Sequence, residues 1–349
     1  MSDWLYFPDY SAANPYQSLL ADALAPRWHA RPGSIANALD LTSAAPVFHL
    51  HWQDAVYAAA RTDPEACALA AAFLAECTAF RAAGGRLVWT MHNETPHENR
   101  FPTADLGLRH ELARIADLVH VHGATGAAIA EALGARRILR AAHPSLHDAY
   151  PDDITDEAAR RYWRIPPGDT VFAFFGALRG YKGTDTLVPA FTLLHQAEPA
   201  TTLLLAGRGG GEHPARWRIP APGIRVASRH LDDAVVQYVF HAADFVVLPY
   251  RRILTSGAAM LALGFARPVI APALPGLLDA LTPGRTMLAY DPEDPAGLAG
   301  ALAAAHALPA ASRATLNAHA LAAAQALPPQ RLADALSAAI AAPGLAVAS

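Results

Sequence analysis

The chain reads as an α/β protein of two consecutive doubly wound domains, and three observations predict it. Short apolar runs bounded by turn residues alternate with helix-length segments nearly throughout. One polar, acidic stretch at 148–169, with Pro151, Pro166 and Pro167, interrupts that alternation near the middle. The side chains suited to chemistry collect directly after the apolar runs, at the strand ends where such sheets bind ligands.

In the first half, strands are expected at 4–7, 47–52, 87–92 and 118–122, short apolar runs typical of a covered parallel sheet. Asn14 and Pro15 read as an N-cap followed by a first-turn proline. Asp63, Pro64 and Glu65 open the next helix, Gly84 and Gly85 close it, and Gly134 ends another. In the second half, strands are expected at 171–175, 202–206, 224–227, 245–248, 268–271 and 287–290. From Pro295 onward the chain is Ala-rich and reads as helix only. This predicts a domain over 1–150, a linker over 151–169, a domain over 170–325, and a last helix within 326–349 packing back towards the first domain. Ligands are expected in the cleft between two facing domains.

Composition bounds the function. The 349 residues suit two domains, and 53% hydrophobic against 17% charged residues supports large cores. A net charge of −4 argues against a general nucleic-acid binder, which carries a basic face. Cys67 and Cys77 match neither a zinc spacing nor a redox pair and read as buried or idle thiols of a reducing cytosol. The first residues lack the basic and apolar regions of a signal peptide, and the longest apolar stretch, 258–281, is interrupted by Arg267, Pro268, Pro272 and Pro275. A cytoplasmic location is therefore expected.

The most informative motif is FFGALRGYKG at 174–183. A strand ending in Gly176, a loop with Arg179 and Lys182, and then a helix make an anion site. Glycine permits the sharp turn, the helix start offers unpaired N–H groups, and the cations add full charge. A second strand–loop–helix follows at 242–272, with Ser256 and Gly257 opening its helix. Two phosphate-suited loops in one domain point to a diphosphate and hence to a nucleotide-sugar transferase. Tyr250, Arg251 and Arg208 are further candidates for the nucleotide or sugar. The plainer reading is two solvated loop cations and an ordinary N-cap serine.

In the first domain, His92, Glu94, His97 and Glu98 form the densest titratable cluster and are candidates for a general base. Helix capping and core packing would also explain them. His122 and Asp9 stand in reserve, and Asn14 belongs to the same side. His49 and His51 share a strand, and only one of them is expected to face the cleft. Trp52 suits stacking on a sugar, with a core position as the default. Arg136, Arg137 and Arg140 make a small basic run near a helix end, suited to an anionic lipid surface or an acceptor pyrophosphate. No Asp-x-Asp stands at a strand end; the run from Asp291 to Asp294 has the wrong spacing, so no metal is expected.

FGALRGYKGTDTLVPAF, LLLAG and ADFVVLPY…SGAAMLALGFARPVIAP, with NPY at 14–16, HLHW at 49–52 and MHNETPHE at 91–98, together resemble a GT-B glycosyltransferase of the GT4-like clan. Within it, the chain is similar to the bacterial exopolysaccharide (xanthan-type) GDP-mannose:glycolipid 4-β-D-mannosyltransferase family. The resemblance implies two Rossmann-like domains facing across a cleft, the donor in the second and a glycolipid or saccharide acceptor in the first. It implies mannose transfer from GDP-mannose with inversion to a β-linkage, in exopolysaccharide assembly. The nucleotide sugar is then the cosubstrate, no other cofactor or metal takes part, and the protein contacts the inner membrane surface peripherally. One departure matters: the Glu-x7-Glu of retaining relatives is replaced here by Ile253 and Leu261. Neither can hold a sugar or ribose hydroxyl. A retaining GT4-like transferase, a GT-B sugar-nucleotide epimerase and a non-catalytic nucleotide-binding subunit are the alternatives.

Overall fold

The computed structural model describes residues 1–95, 99–177, 180–209 and 221–342. The chain divides into two compact units, Met1–Pro144 with Pro328–Ser349, and Ser145–Leu327.

The first unit runs β1 (Ser2–Phe7), α1 (Tyr16–Leu24), β2 (Trp28–Pro32), α2 (Ile35–Leu39), β3 (Val47–Leu50), α3 (Asp63–Ala82), β4 (Arg86–Thr90), α4 (Pro102–Ile115), β5 (Leu118–Val121), α5 (Ala124–Ala132) and β6 (Ile138–Arg140). Its six strands lie in the order β2-β1-β3-β4-β5-β6, with every pairing parallel. The chain steps from β1 outward to β2 and then returns past β1 to β3. The order therefore reverses between β1 and β3, and doubly wound sheets bind ligands beside such a reversal. Trp4, Phe48, Leu50 and Trp89 are fully buried in the core.

The edge strands β2 and β6 escape a search for apolar runs because WHARP and ILR are short and only half covered. The basic run at 136–140 thus ends in a strand. Local chemistry sets the helix starts. Asn14 Oδ1 accepts from the Tyr16 N–H at 3.1 Å. Thr62, one residue before the expected position, caps α3 by accepting from the Glu65 N–H at 3.3 Å.

The second unit runs α6 (Asp156–Tyr162), β7 (Thr170–Phe175), α7 (Thr184–Ala197), β8 (Thr201–Ala206), β9 (Ile224–Ala227), α8 (Asp233–Ala242), β10 (Phe245–Val247), α9 (Gly257–Gly264), β11 (Val269–Pro272), α10 (Pro275–Leu278), β12 (Met287–Tyr290), α11 (Gly297–His306) and α12 (Ala310–Gln325). Its parallel sheet has the order β12-β11-β10-β7-β8-β9, reversing between β7 and β10. The stretch 151–169, expected to be a linker, is built into this unit. Thr155 caps α6, Trp163 Nε1 donates to the Tyr238 carbonyl at 2.9 Å, and Arg160 pairs with Asp244 at 2.9 Å. The polar composition reads as a linker because α6 buries only one small side chain, Ala159.

The chain then re-enters the first unit as α13 (Pro329–Ala341). Trp28 Nε1 donates to Ser337 Oγ at 3.0 Å, and Arg137 donates to the Ala339 carbonyl at 2.6 Å. Arg137 is thereby committed to holding this helix.

Candidate functional site

In the second unit, the loops after β7 and β10 flank the reversal of strand order. Gly183, at φ 70°, lets them touch: a Cβ there would lie 1.8 Å from the Pro249 carbonyl oxygen. The Arg251 N–H donates to the Tyr181 carbonyl at 3.0 Å, tying the same loops. Gly176 has φ 131°, and a Cβ on it would stand 2.8 Å from Lys182 Nζ. The Lys182 ammonium lies 5.8 Å from the centroid of the Tyr250 ring. Tyr250 is buried, and its hydroxyl meets Ser256 Oγ at 3.2 Å. Ser256 Oγ also accepts from the Ala259 N–H at 3.2 Å and so caps α9.

Five of the expected donor residues, Gly176, Lys182, Tyr250, Ser256 and Gly257, are therefore linked within one loop pair. An ammonium, a hydroxyl and a helix start converge there, a combination suited to anionic oxygens. Arg179 lies outside the described residues. Arg251 is directed to Asp185 at 2.5 Å, with both side chains exposed, so it sits in a surface ion pair. Arg208 is exposed beyond β8. Ile253 is half-buried and Leu261 is buried in α9.

In the first unit, the strand reversal is flanked by the segment carrying Asp9, Asn14 and Tyr16, and by His51 and Trp52. The ends of β3, β4 and β5 and the residues after β6 bring six histidines together: His49, His51, His92, His120, His122 and His143. The expectation that only one of His49 and His51 faces this side fails. Residues two apart on a strand share a face, and these two rings lie 4.0 Å apart. The Tyr16 ring contacts His51, His92, His122 and His143 at centroid distances of 5.7, 4.9, 5.6 and 5.1 Å.

Hydrogen bonds fix the tautomers of part of this cluster. Indole N–H only donates, so Trp4 Nε1 donates to His49 Nδ1 at 3.3 Å. His49 in its neutral form then donates through Nε2 to Thr90 Oγ1 at 2.6 Å. The Thr90 hydroxyl passes its hydrogen to His120 Nδ1 at 2.9 Å, and His120 Nε2 donates to the Ala141 carbonyl at 3.1 Å. Ala141 accepts a second imidazole N–H, His122 Nδ1, at 3.2 Å. His51 Nδ1 and His92 Nε2 share one hydrogen at 3.0 Å.

Burial, and secondarily the other histidines, hold His49, His51, His92 and His122 well below the ordinary imidazole pKa. Burial also lowers His120 and His143 to about 4, opposed by their backbone hydrogen bonds. The cluster is uncharged at neutral pH.

The other expected residues of this unit fall around that cluster. Trp52 is half-buried, not a core residue, and stacks on His92 at 4.4 Å while meeting the exposed Tyr10 at 5.3 Å. Asp105 supports the turn after it, accepting from Gln53 at 3.1 Å and Tyr57 at 2.9 Å. Glu94 is exposed; His97 and Glu98 lie outside the described residues. Asp9 is exposed and accepts from the Ser11 N–H at 3.1 Å. Asn14 is engaged on α1. Sequence reading placed His120 among the strand-end candidates and quoted Tyr16 only within NPY; it missed Thr90 and His143, although histidines recurring at successive strand ends were a usable signal. Among the described residues, no group of three or more His, Cys, Asp or Glu could hold a metal ion. No helix among them is long and apolar enough to cross a membrane.

Two doubly wound α/β units with ligand-suited loops at their strand reversals define the class, a GT-B fold. Solved structures share it over nearly the whole chain. Anabaena HepE in complex with UDP and glucose matches with TM-score 0.74 at 16% identity, covering 97% of this chain and 100% of that one. Sucrose-phosphate synthase from Thermosynechococcus elongatus matches with TM-score 0.71 at 18% identity, covering 97% of each chain. Residues 169–307 match the family model of glycosyl transferases group 1, so the chain carries a glycosyltransferase group 1 domain. Among curated relatives, the GDP-mannose:glycolipid 4-beta-D-mannosyltransferase of Xanthomonas campestris pv. campestris is 27% identical over 85% of this chain and 81% of its own length. The D-inositol 3-phosphate glycosyltransferase of Corynebacterium glutamicum is 32% identical over 44% of this chain and 38% of its own.

Proposed function

We propose that the protein transfers mannose from GDP-mannose, with inversion to a β-linkage, onto a glycolipid or saccharide acceptor in exopolysaccharide assembly. The observation that carries the reading is the loop pair joined by Gly183 and Pro249, which sets Lys182 beside Tyr250 and the start of α9 inside the group 1 domain. As the nucleoside diphosphate leaves, negative charge grows on its phosphate. Lys182 and the N–H groups of Gly257 and its neighbours stabilise that charge in place. The mannose donor is supported by similarity to a mannosyltransferase across most of the chain.

Inversion is supported by Ile253 and Leu261, which leave no carboxylate where retaining relatives hold the donor. Single displacement then needs a base on the acceptor, drawn from the segment His92 to Glu98. No divalent metal takes part, because Lys182 and the helix start supply the positive field. Contact with the cytoplasmic membrane face is peripheral, with the exposed Arg136 and Arg140 as its cationic side chains.

The test is incubation of the purified protein with a panel of GDP- and UDP-sugars, lipid-linked and free saccharide acceptors, and chelator. Expected is release of GDP from GDP-mannose alone, undiminished in chelator, with a β-mannosidic product by NMR. An α-linked product overturns the mechanism. Acceptor-free conversion of a sugar nucleotide overturns the transferase reading in favour of an epimerase.

A further inference from the structure

We infer that Tyr16 and His122 together form a receptor for one hydroxyl group of the acceptor saccharide. The inference rests on the transferase reading above and adds the atoms that hold its second substrate.

The argument begins at the Ala141 carbonyl. An oxygen that only accepts requires hydrogens on both imidazole nitrogens facing it, His120 Nε2 and His122 Nδ1. The chain of hydrogen bonds starting at Trp4 independently demands the same hydrogen on His120 Nε2. With Nδ1 protonated and the ring neutral, His122 Nε2 is a bare lone pair. That nitrogen is buried and has no hydrogen-bond partner among the described residues. Tyr16 Oη, on a ring 5.6 Å away at 78°, is buried and equally without a partner.

Buried polar groups are nearly always satisfied, so two orphans on contacting rings point to a missing occupant. It must donate a hydrogen to His122 Nε2 and hydrogen-bond the Tyr16 hydroxyl, which can donate or accept. An O–H group meets both demands. An anion has no hydrogen for Nε2, and an ammonium would place a charge among buried, uncharged rings. An acceptor sugar and an ordered water both supply this chemistry. The surroundings favour the sugar. His92, Trp52 and the exposed Tyr10 form a run of rings at 4.4 and 5.3 Å leading outward from Tyr16, and aromatic faces suit the apolar face of a pyranose.

The experiment uses the full chain labelled with 15N-histidine. Expected is the Nδ1–H tautomer for His122, and a saturable shift of its Nε2 resonance with at least one of the methyl glucosides, galactosides or mannosides. Tyr16→Phe should weaken the binding that this shift reports about tenfold, as for one lost hydrogen bond. If that variant fails to fold, His122→Asn serves: its amide can keep an N–H to Ala141 but is too short to place an acceptor at the Nε2 position. It should weaken glycoside binding about tenfold, as for one lost hydrogen bond. An Nε2–H tautomer overturns the inference. So does a shift with none of the glycosides, which leaves an ordered water only. Calorimetry with GDP and UDP on the same sample separates the two readings. Nucleotide binding without a glycoside effect defeats only this inference, whereas no nucleotide binding defeats the transferase reading.

Discussion

The Gly183 backbone lies so close to Pro249 that a single added methyl group would stand 1.8 Å from the proline carbonyl oxygen. Gly183→Ala therefore cannot keep both the left-handed backbone and the loop contact. The backbone alone costs about 1–3 kcal/mol, and the collision adds to it. Expected are a lower Tm and weaker nucleotide binding. An alanine variant with wild-type affinity would show that the loop pair does not shape the site.

The hydrogen bonds through Thr90 give a second prediction. Thr90→Val strands the His49 Nε2–H and the His120 Nδ1 lone pair in the core, at about 1–3 kcal/mol for each buried orphan. Thr90→Ser keeps the hydroxyl and should cost far less. Equal urea midpoints for the two variants would remove the relay from the account.

A third prediction concerns acid. His120 and His143 have folded pKa values of about 4, below the unfolded value near 6.5. The unfolded chain binds more protons throughout that window. Stability is fully present above about pH 6.5 and falls as pH drops towards 4, by about 1.4 kcal/mol per pH unit for each histidine. Hydrogen exchange in β4 and β5 should accelerate steeply over this range. Flat protection between pH 7 and 5 would mean that these imidazoles take up protons in the fold as they do in the unfolded chain.

The second unit should respond in the opposite sense. His241 meets Asp156 at 2.8 Å and Asp152 at 2.5 Å, and Arg267 meets the same Asp156 oxygen at 2.5 Å. The hydrogen bond to Asp156, with that to Asp152, raises the His241 pKa against the effect of burial. Its stabilisation is complete below about pH 6.5 and is lost as pH rises through the higher folded value. Asp152 and Asp156 are lowered by these partners despite burial, so they lose their share only in the carboxylate range. Protection of α6 and α8 should decline from pH 6.5 upward, and His241→Gln should flatten that profile.

Much of this was legible in the sequence where apolar runs carried the signal. FVV at β10 and TVFAFF at β7 read directly as strands, and the glycines after them as anion loops. WHARP and ILR were not legible, because half-covered edge strands need no apolar run. The clustering of the residues expected to bind the donor around Lys182 followed from strand-end logic. The histidine cage did not, because His120 and His143 come together with His49 only through sheet order, which no local window contains. Arg251 illustrates the remaining gap: its partner Asp185 sits in the first turn of α7, and sequence proximity to a strand end does not reveal where a long side chain is spent.

The central claim is that the loops around Lys182 and Ser256 bind a nucleoside diphosphate. Isothermal titration of GDP and UDP into the wild-type chain and into Lys182→Ala tests it most directly. The account predicts saturable binding to the wild type, with GDP preferred, and a loss of about 1.5–3 kcal/mol in the variant, as for a charge-assisted hydrogen bond. Unchanged affinity in Lys182→Ala, or no binding of either nucleotide, would contradict it.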